Sequence, residues 1–313
     1  MSRIHDALKK AEQESLANLH SEVVIQPTAP DFSPVLSQQE QAEAEPEPET
    51  KVELPLRPLQ GGGPMTLESW ISECPTARWN LDRQSVLFTD PQARQLGMEE
   101  FRTLRTRLLQ MREKLPLQTI LITSALPGEG KTFVAANLAQ AFVQQRGRRV
   151  LLMDCDLRLA RLHALLGTEI APGLSDFLRG DVEASKILQR GVPENLFFIP
   201  AGHPTPNPVE LIGNGRLKSL LHRLAPLFDW IIIDSPPSVP LSDSSLLADL
   251  CDGVLLVVRS GKTPFDMAQK GSQQFRDKRL LGVVLNQVSP QSAYSAYYYH
   301  AVEERPREPH SKE

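Results

Sequence analysis

Tyrosine is absent from this 313-residue chain until position 294, and its four copies, Tyr294, Tyr297, Tyr298 and Tyr299, then fall together in SAYSAYYYH. Cysteine is scarce. Cys74, Cys155 and Cys251 show no paired spacing, and their odd number argues against a disulfide framework and fits a reducing cytosol. No apolar run reaches the ~18 residues that a membrane-spanning helix needs. The first residues, MSRIHDALKKAEQE, lack the apolar centre of a signal peptide. Positive charge is not in surplus: a formal net charge of -4 gives no support for a broad nucleic-acid surface, and no nucleic-acid partner is expected. The G-x-G-x-x-G fingerprint of dinucleotide-binding oxidoreductases is missing too.

What is present is unevenly distributed. Over residues 1–20 Ile4, Leu8 and Ala11 share one helical face, which suits either a solvated helix or a docking helix. Residues 21–64 include QEQAEAEPEPETK and close on GGGP, so an acidic, Pro-rich disordered linker is expected. Residues 65–92 carry Trp70, Trp79, Leu87 and Phe88 without a clear period and form a lead-in segment. The folded body is placed at 93–290 and a tyrosine-rich tail at 291–313. Within the body, Phe101, Leu104 and Leu108 mark a helix face. QTILITS, RRVLLMD, NLFFIP, DWIIID, DGVLLVV and LLGVVLN then read as apolar strands. Helices are expected after the first of them, in FVAANLAQAFVQQ, and around 158–166, 209–225, 243–249 and 264–276. Continuous apolar strands alternating with helices predict an α/β fold: a mostly parallel sheet covered on both faces.

ITSALPGEGKT falls where the first strand gives way to a helix. In such a loop Gly128 and Gly130 let the backbone turn tightly around phosphate, beside Pro127 and Glu129. Lys131 can reach the terminal phosphates, Thr132 can ligand magnesium, and the following helix offers its N-terminal amides to an anion. The G-x-x-x-x-G-K-[ST] pattern is met except at its first position, which is Ala125. LLMDCDLR places Asp154 and Asp156 at the end of a strand, with Cys155 facing the other way. Either these acids approach the metal edge of the site, Asp154 polarising a hydroxyl and Asp156 acting through the magnesium shell, or they are loop acids with Arg158 as surface counterion. DWIIIDSPP delivers Asp234 at the end of a third strand, where it can orient magnesium and water. Together the three motifs predict a P-loop fold and ATP-dependent phosphoryl transfer with ATP and Mg2+.

SALPGEGKT, LLMDCDLR and IIIDSPP resemble the three nucleotide motifs of the bacterial tyrosine autokinases, P-loop proteins linked to polysaccharide synthesis and export. The resemblance covers roughly 93–300 and extends through GLSDFLRG, AGHPTPNPVELI, PLSDSSLLAD and VVRSGKT. It implies that Lys131 and Thr132 serve phosphate and magnesium, and that Asp154, Asp156 and Asp234 form a magnesium-centred catalytic cluster. Asn286, closing GVVLN, would help recognise the base. Tyr294, Tyr297, Tyr298 and Tyr299 would be phosphoacceptors presented to a neighbouring subunit of a ring. EEFRTLRTRL resembles the ring-interface motif through Glu99, Arg102 and Arg105, which without that analogy contain only an i,i+3 surface pair. Arg107 stands where the family often has Asn.

The membrane-spanning portion fused to many family members is not seen here. The resemblance therefore implies a cytoplasmic chain drawn to the inner membrane face by a separate membrane-anchored co-polymerase that activates it, and opposed by a tyrosine phosphatase. The N-terminal residues are most similar to stand-alone kinases of exosortase-associated exopolysaccharide systems. Each phosphotyrosine adds about -1.5 to -2 charge, so repeated modification is expected to loosen the ring. The other reading of the motifs is a partitioning ATPase of the deviant P-loop class. Such proteins carry an early lysine near the position of Ala125 or Leu126 and have no use for a terminal tyrosine cluster.

Overall fold

In a computed structural model of the chain, residues 74, 76–82, 85–89, 95–191 and 193–288 are described. The N-terminal helix, the acidic linker, Trp70 and the four tyrosines expected from the sequence lie outside them. The described residues build one seven-stranded sheet: β1 (Thr119–Ser124), β2 (Val150–Asp154), β3 (Gln189–Arg190), β4 (Leu196–Ile199), β5 (Trp230–Asp234), β6 (Gly253–Arg259) and β7 (Leu280–Asn286). Their order is β3-β4-β2-β5-β1-β6-β7, and every pairing is parallel except β3 with β4.

The inner strands β1, β2, β4 and β5 are buried and largely apolar because both faces are covered, whereas at the sheet edges β3 is Gln189–Arg190 and β7 leaves Val283 and Leu285 56% exposed. On one face, Met153, Ile233 and Leu256 meet Phe177, Leu217 and Leu220; on the other, Leu152, Ile232 and Val257 meet Phe101, Leu138 and Phe142. The second face is packed by α1 (Gln95–Arg112) and α2 (Lys131–Val143). Helix α1 buries Met98, Phe101 and Leu108, a three-and-four spacing that aligns them in one stripe. Helix α2 is buried along almost its whole length from Val134 to Val143, and Ala135, Ala136, Ala139 and Ala141 give it the narrow profile this position needs.

The helices match the expected pattern with local differences. The expected segment 158–166 is helical only at α3 (Leu162–Leu166), because the chain first uses loop backbone amides on the acids described below. Segment 209–225 is two helices, α6 (Pro208–Gly213) and α7 (Arg216–Leu224), broken at Gly215 in the left-handed region. Helix α8 (Asp243–Ala248) and α9 (Phe265–Gln273) occupy the remaining two expected places. The short helices α4 (Leu174–Arg179) and α5 (Ala184–Ile187) and the two-residue β3 were not foreseen; none is long enough to impose a hydrophobic period.

The lead-in segment acquires contacts its sequence does not announce. Thr76 bridges Arg190, and the amides of Asn80 and Asp82 donate to the carbonyls of Gly167 and Leu165 at 3.3 and 2.9 Å. Trp79 meets Phe198 edge-on at 6.1 Å. Asn137, buried inside α2, accepts the Leu87 N–H at 2.8 Å and donates to the Ser85 carbonyl at 2.9 Å. One helical amide thereby satisfies backbone that would otherwise be buried unpaired.

Candidate active site

The loop between β1 and α2 lies at the carboxyl edge of the sheet, where open α/β folds bind ligands. Gly128 and Gly130 adopt φ of 79° and 93°, the left-handed region that side chains avoid. Gly130 has a second constraint: a Cβ there would come within 2.1 Å of Asn286 Nδ2. Pro127 and Gly128 form the exposed crest of the loop, whereas Glu129 is only 3% exposed. The Glu129 side chain turns inward: one carboxylate oxygen accepts the Leu126 N–H at 2.7 Å and the other accepts the Thr263 hydroxyl. Glu129 therefore offers the loop's interior its backbone rather than its charge. Asn286, at the end of β7, donates Nδ2 to the Glu129 carbonyl at 2.9 Å.

Strand register brings the acids together. Asp154 and Asp234 end adjacent strands and lie directly opposite each other in the parallel pairing. Both are fully buried and stand two residues after Leu152 and Ile232 in their strands, which places them on the same α2 face. Cys155 belongs to the opposite apolar cluster, as alternation requires. Thr132, at the start of α2, donates its hydroxyl to Asp234 Oδ2 at 2.7 Å. Lys131 Nζ donates to Asp156 Oδ2 at 2.8 Å and lies 3.7 Å from Asp234 Oδ1. The other Asp156 oxygen takes the Leu159 N–H at 3.0 Å. Asp154 accepts the N–H groups of Asp156 and Leu162 at 3.2 and 3.1 Å, so both its oxygens are engaged by backbone.

This packing sets the protonation states. Burial, and then the neighbouring Asp234 charge, push Asp154 up to about 8. Burial also raises Asp234, and the Lys131 ammonium and Thr132 hydroxyl hold it back at about 6. Burial alone would lower the Lys131 ammonium, but the charges of Asp234 and Asp156 outweigh it and raise it. Three carboxyl groups share one ammonium in this cluster. Asp234 Oδ1 is wholly buried and accepts no hydrogen bond. Among the described residues no group of three or more His, Cys, Asp or Glu side chains forms a metal cage. The Thr132 hydroxyl beside the Asp234 carboxylate is a pair of hard oxygen donors that suits magnesium, which protein sites hold through one or two carboxylates together with substrate phosphates.

A pH dependence follows. Folded Asp154 keeps its proton to about 8, whereas an unfolded aspartate releases it near ~3.9. The folded state binds more protons between those values, so stability falls as pH rises through that interval and the loss is complete above about 8. Between about pH 6.5 and pH 8, above the range of Asp234, the ligand-free chain is expected to lose roughly 3–6 °C in Tm. Asp154→Asn should flatten that slope in a calorimetric or fluorescence melt, although its own Tm starts lower; an equal slope would sink the assignment.

The remaining expected residues fall elsewhere. Arg158 is not a counterion of Asp154 or Asp156: its fork closes on Asp243 at 2.9 and 3.1 Å, and Asp243 is 1% exposed at the start of α8. The reason is position, since the Asp156 oxygens are already engaged by Lys131 and Leu159. Glu99 and Arg102 pair on the exposed face of α1. Arg105 instead turns inward and donates to the Ala141 carbonyl near the end of α2 at 2.7 Å. Asp243 in PLSDSSLLAD and Thr263 in VVRSGKT have partners that their own motifs do not contain. An acid at a helix start and a threonine after a strand are too common to stand out without their partners 85 and 134 residues away.

Comparison with known proteins agrees with this geometry. The family model described as "CobQ/CobB/MinD/ParA nucleotide binding domain" matches residues 120–307. The chain is 34% identical over 221 residues to "Tyrosine-protein kinase YwqD" of Bacillus subtilis (strain 168), spanning 69% of this chain and 92% of that one. It is 32% identical to "Tyrosine-protein kinase wzc" of Salmonella typhimurium, covering 71% of this chain but only 31% of that longer protein. The solved kinase domain of the Escherichia coli tyrosine kinase ETK superposes with a TM-score of 0.58 at 30% identity, over 61% of this chain and 77% of that one. A phosphate loop with its lysine seated among three strand-end carboxylates, in a chain so similar to named kinases, favours phosphoryl transfer to tyrosine over a partitioning ATPase. The chain belongs to the CobQ/CobB/MinD/ParA nucleotide-binding domain family and, within it, to the bacterial tyrosine-protein kinases.

Proposed function

We propose that the protein transfers the γ-phosphoryl group of ATP to Tyr294, Tyr297, Tyr298 and Tyr299 of a neighbouring copy of itself. The observation that carries the reading is the convergence of Lys131, Thr132, Asp156 and Asp234 at the mouth of the phosphate loop. It is joined to a chain whose every tyrosine lies in one terminal cluster. Gly128, Gly130 and the first amides of α2 would cradle the phosphates, with Pro127 and the Glu129 backbone completing the loop. Asn286, already against the Glu129 carbonyl, would bound the base.

The contacts of Lys131 suggest how the charges move. Lys131 is held on Asp156, and the triphosphate offers it a denser negative charge, so it swings to the phosphates on binding. Thr132, Asp156 and Asp234 would hold magnesium, which when bound neutralises charge on the phosphate oxygens. In transfer, the tyrosine oxygen forms its bond to phosphorus as the bond to the ADP oxygen breaks, and the phenolic proton passes to a carboxylate of this cluster. For Asp154 to take that role it must first be ionised, which burial opposes below about pH 8, and one of its two backbone hydrogen bonds must make way for the substrate hydroxyl.

Glu99 and Arg102 lie exposed and are proposed as ring contacts; Arg105 would join them only by leaving Ala141. Among the described residues no helix is long and apolar enough to cross a membrane. Relatives named for capsule-region kinases, such as the one "in cps region" of Klebsiella pneumoniae, support a role in capsule or exopolysaccharide synthesis. The proposal includes a membrane-anchored activating protein and an opposing phosphatase.

The test uses purified full-length chain with labelled ATP and magnesium, followed by mapping of the label. Lys131→Ala chain is then mixed with active chain whose four tyrosines are phenylalanine. Label on the tail of the inactive chain is expected. Label confined to other residues, or ATP hydrolysis without tyrosine modification, would overturn the proposal; label on the tail only when it shares a chain with an intact Lys131 would overturn transfer between copies.

A further inference from the structure

We infer that Thr263 is a positioning residue for the phosphate loop, acting by holding the Glu129 carboxylate away from the bound triphosphate. The inference rests on reading this loop as the ATP site and adds how its charge is controlled. Glu129 stands between Gly128 and Gly130, in the middle of a loop shaped for anions. A carboxylate there opposes the ligand unless it is turned away and kept away.

Its restraints come from three parts of the chain. One oxygen accepts the Leu126 N–H from its own loop, and the other accepts the Thr263 hydroxyl from the loop after β6. Asn286, at the end of β7, holds the Glu129 carbonyl. Thr263 is itself aimed. Its oxygen accepts the Arg259 N–H at 3.1 Å, and its own N–H donates to the Arg259 carbonyl at 3.1 Å, so the single hydroxyl proton is left for Glu129. The Ser260 N–H donates to the Asn286 carbonyl at 2.9 Å, tying the Thr263 loop to the strand that carries the third restraint.

Removing the hydroxyl leaves a carboxylate oxygen without its donor where only 3% of the residue is exposed. Rotation toward the loop mouth restores its hydration and brings its charge against the phosphates. The consequence is a loss of nucleotide affinity, because the repulsion acts on bound ATP in the ground state and the transition state alike.

The experiment measures ATP affinity in the presence of magnesium by titration calorimetry, with initial autophosphorylation rates beside it, on the full-length chain. Thr263→Val is expected to weaken ATP binding about 10-fold with kcat within about twofold of wild type, and Thr263→Ser to recover within about twofold. In a Glu129→Gln background, where the repelling charge is gone, Thr263→Val should cost less than about twofold. Wild-type affinity in Thr263→Val overturns the inference, as does the same loss in both backgrounds or a serine variant as weak as valine. Wild-type protein that binds no ATP would overturn the nucleotide reading itself. Because affinity is read without tyrosine modification, a failed acceptor assignment leaves the result intact.

Discussion

Lys131→Ala is expected to lower autophosphorylation by at least two to three orders of magnitude, roughly the cost of removing one preorganised donor from a transition state. The same substitution should also destabilise the empty protein. Lys131 is the cation shared by Asp156 and Asp234, and 13% of its side chain remains exposed. Breaking such a pair costs up to about 3 kcal/mol, the low end for buried pairs. The sign of the pH effect follows from the carboxylates left behind. Burial raises Asp234 to about 6 even with Lys131 beside it; without the ammonium it rises further. The variant should therefore lie furthest below wild type near pH 8 and approach it toward about pH 5, where a protonated Asp234 no longer needs a cation. Melting curves at both pH values, run with the labelled-ATP assay, check both parts. A pH-independent deficit would mean that Lys131 contributes packing rather than charge.

Asp234→Asn separates activity from stability in the opposite sense. Activity is expected to fall roughly 100-fold or more, because Asp234 would lose its charge toward magnesium and its capacity to hold the cation beside Thr132. The empty protein should become more stable near pH 8. Asp234 is fully buried, one of its oxygens accepts no hydrogen bond, and its folded pKa lies above the unfolded value, so its ionised form opposes folding. A neutral amide of the same shape removes that penalty while its oxygen still accepts from Thr132. The gain in Tm, roughly a few degrees, should be full above about pH 6, shrink as pH falls below it and vanish only near the ~3.9 of an unfolded aspartate. An active-site acid retained at a cost in stability is the expected signature of function. Equal or lower Tm at pH 8 would count against that account.

Much of the candidate site was legible because its signals are local. PGEGKT, DCD and IIID each combine an apolar strand with polar residues at its carboxyl end, and each needs only a short window to recognise. Cys155 could be assigned to the face away from the acids because strands alternate. Other features depend on where distant segments come to lie. Arg158 follows the DCD motif, and a short window of sequence offers it only that motif's acids as partners; Asp243, 85 residues later, takes both arms of its guanidinium. Arg105 shares a surface motif with Glu99 and Arg102, yet it turns inward to Ala141. The role of Glu129 was similarly hidden. By position it belongs to the phosphate loop, and only the arrival of Thr263 shows its charge turned away.

The sequence by itself determined an α/β chain with a phosphate loop, three strand-end acids and a single tyrosine cluster, because periodicity and motif spacing are properties of neighbouring residues. The tertiary structure alone decided the strand order, which sets Asp154 directly beside Asp234 although eighty positions separate them in the chain. Burial out of water makes both aspartates hold their protons toward neutral pH, and for Asp154 the Asp234 charge one strand spacing of about 4.8 Å away adds to it. Charge interactions depend on distance and dielectric, and neither is encoded in a window of sequence.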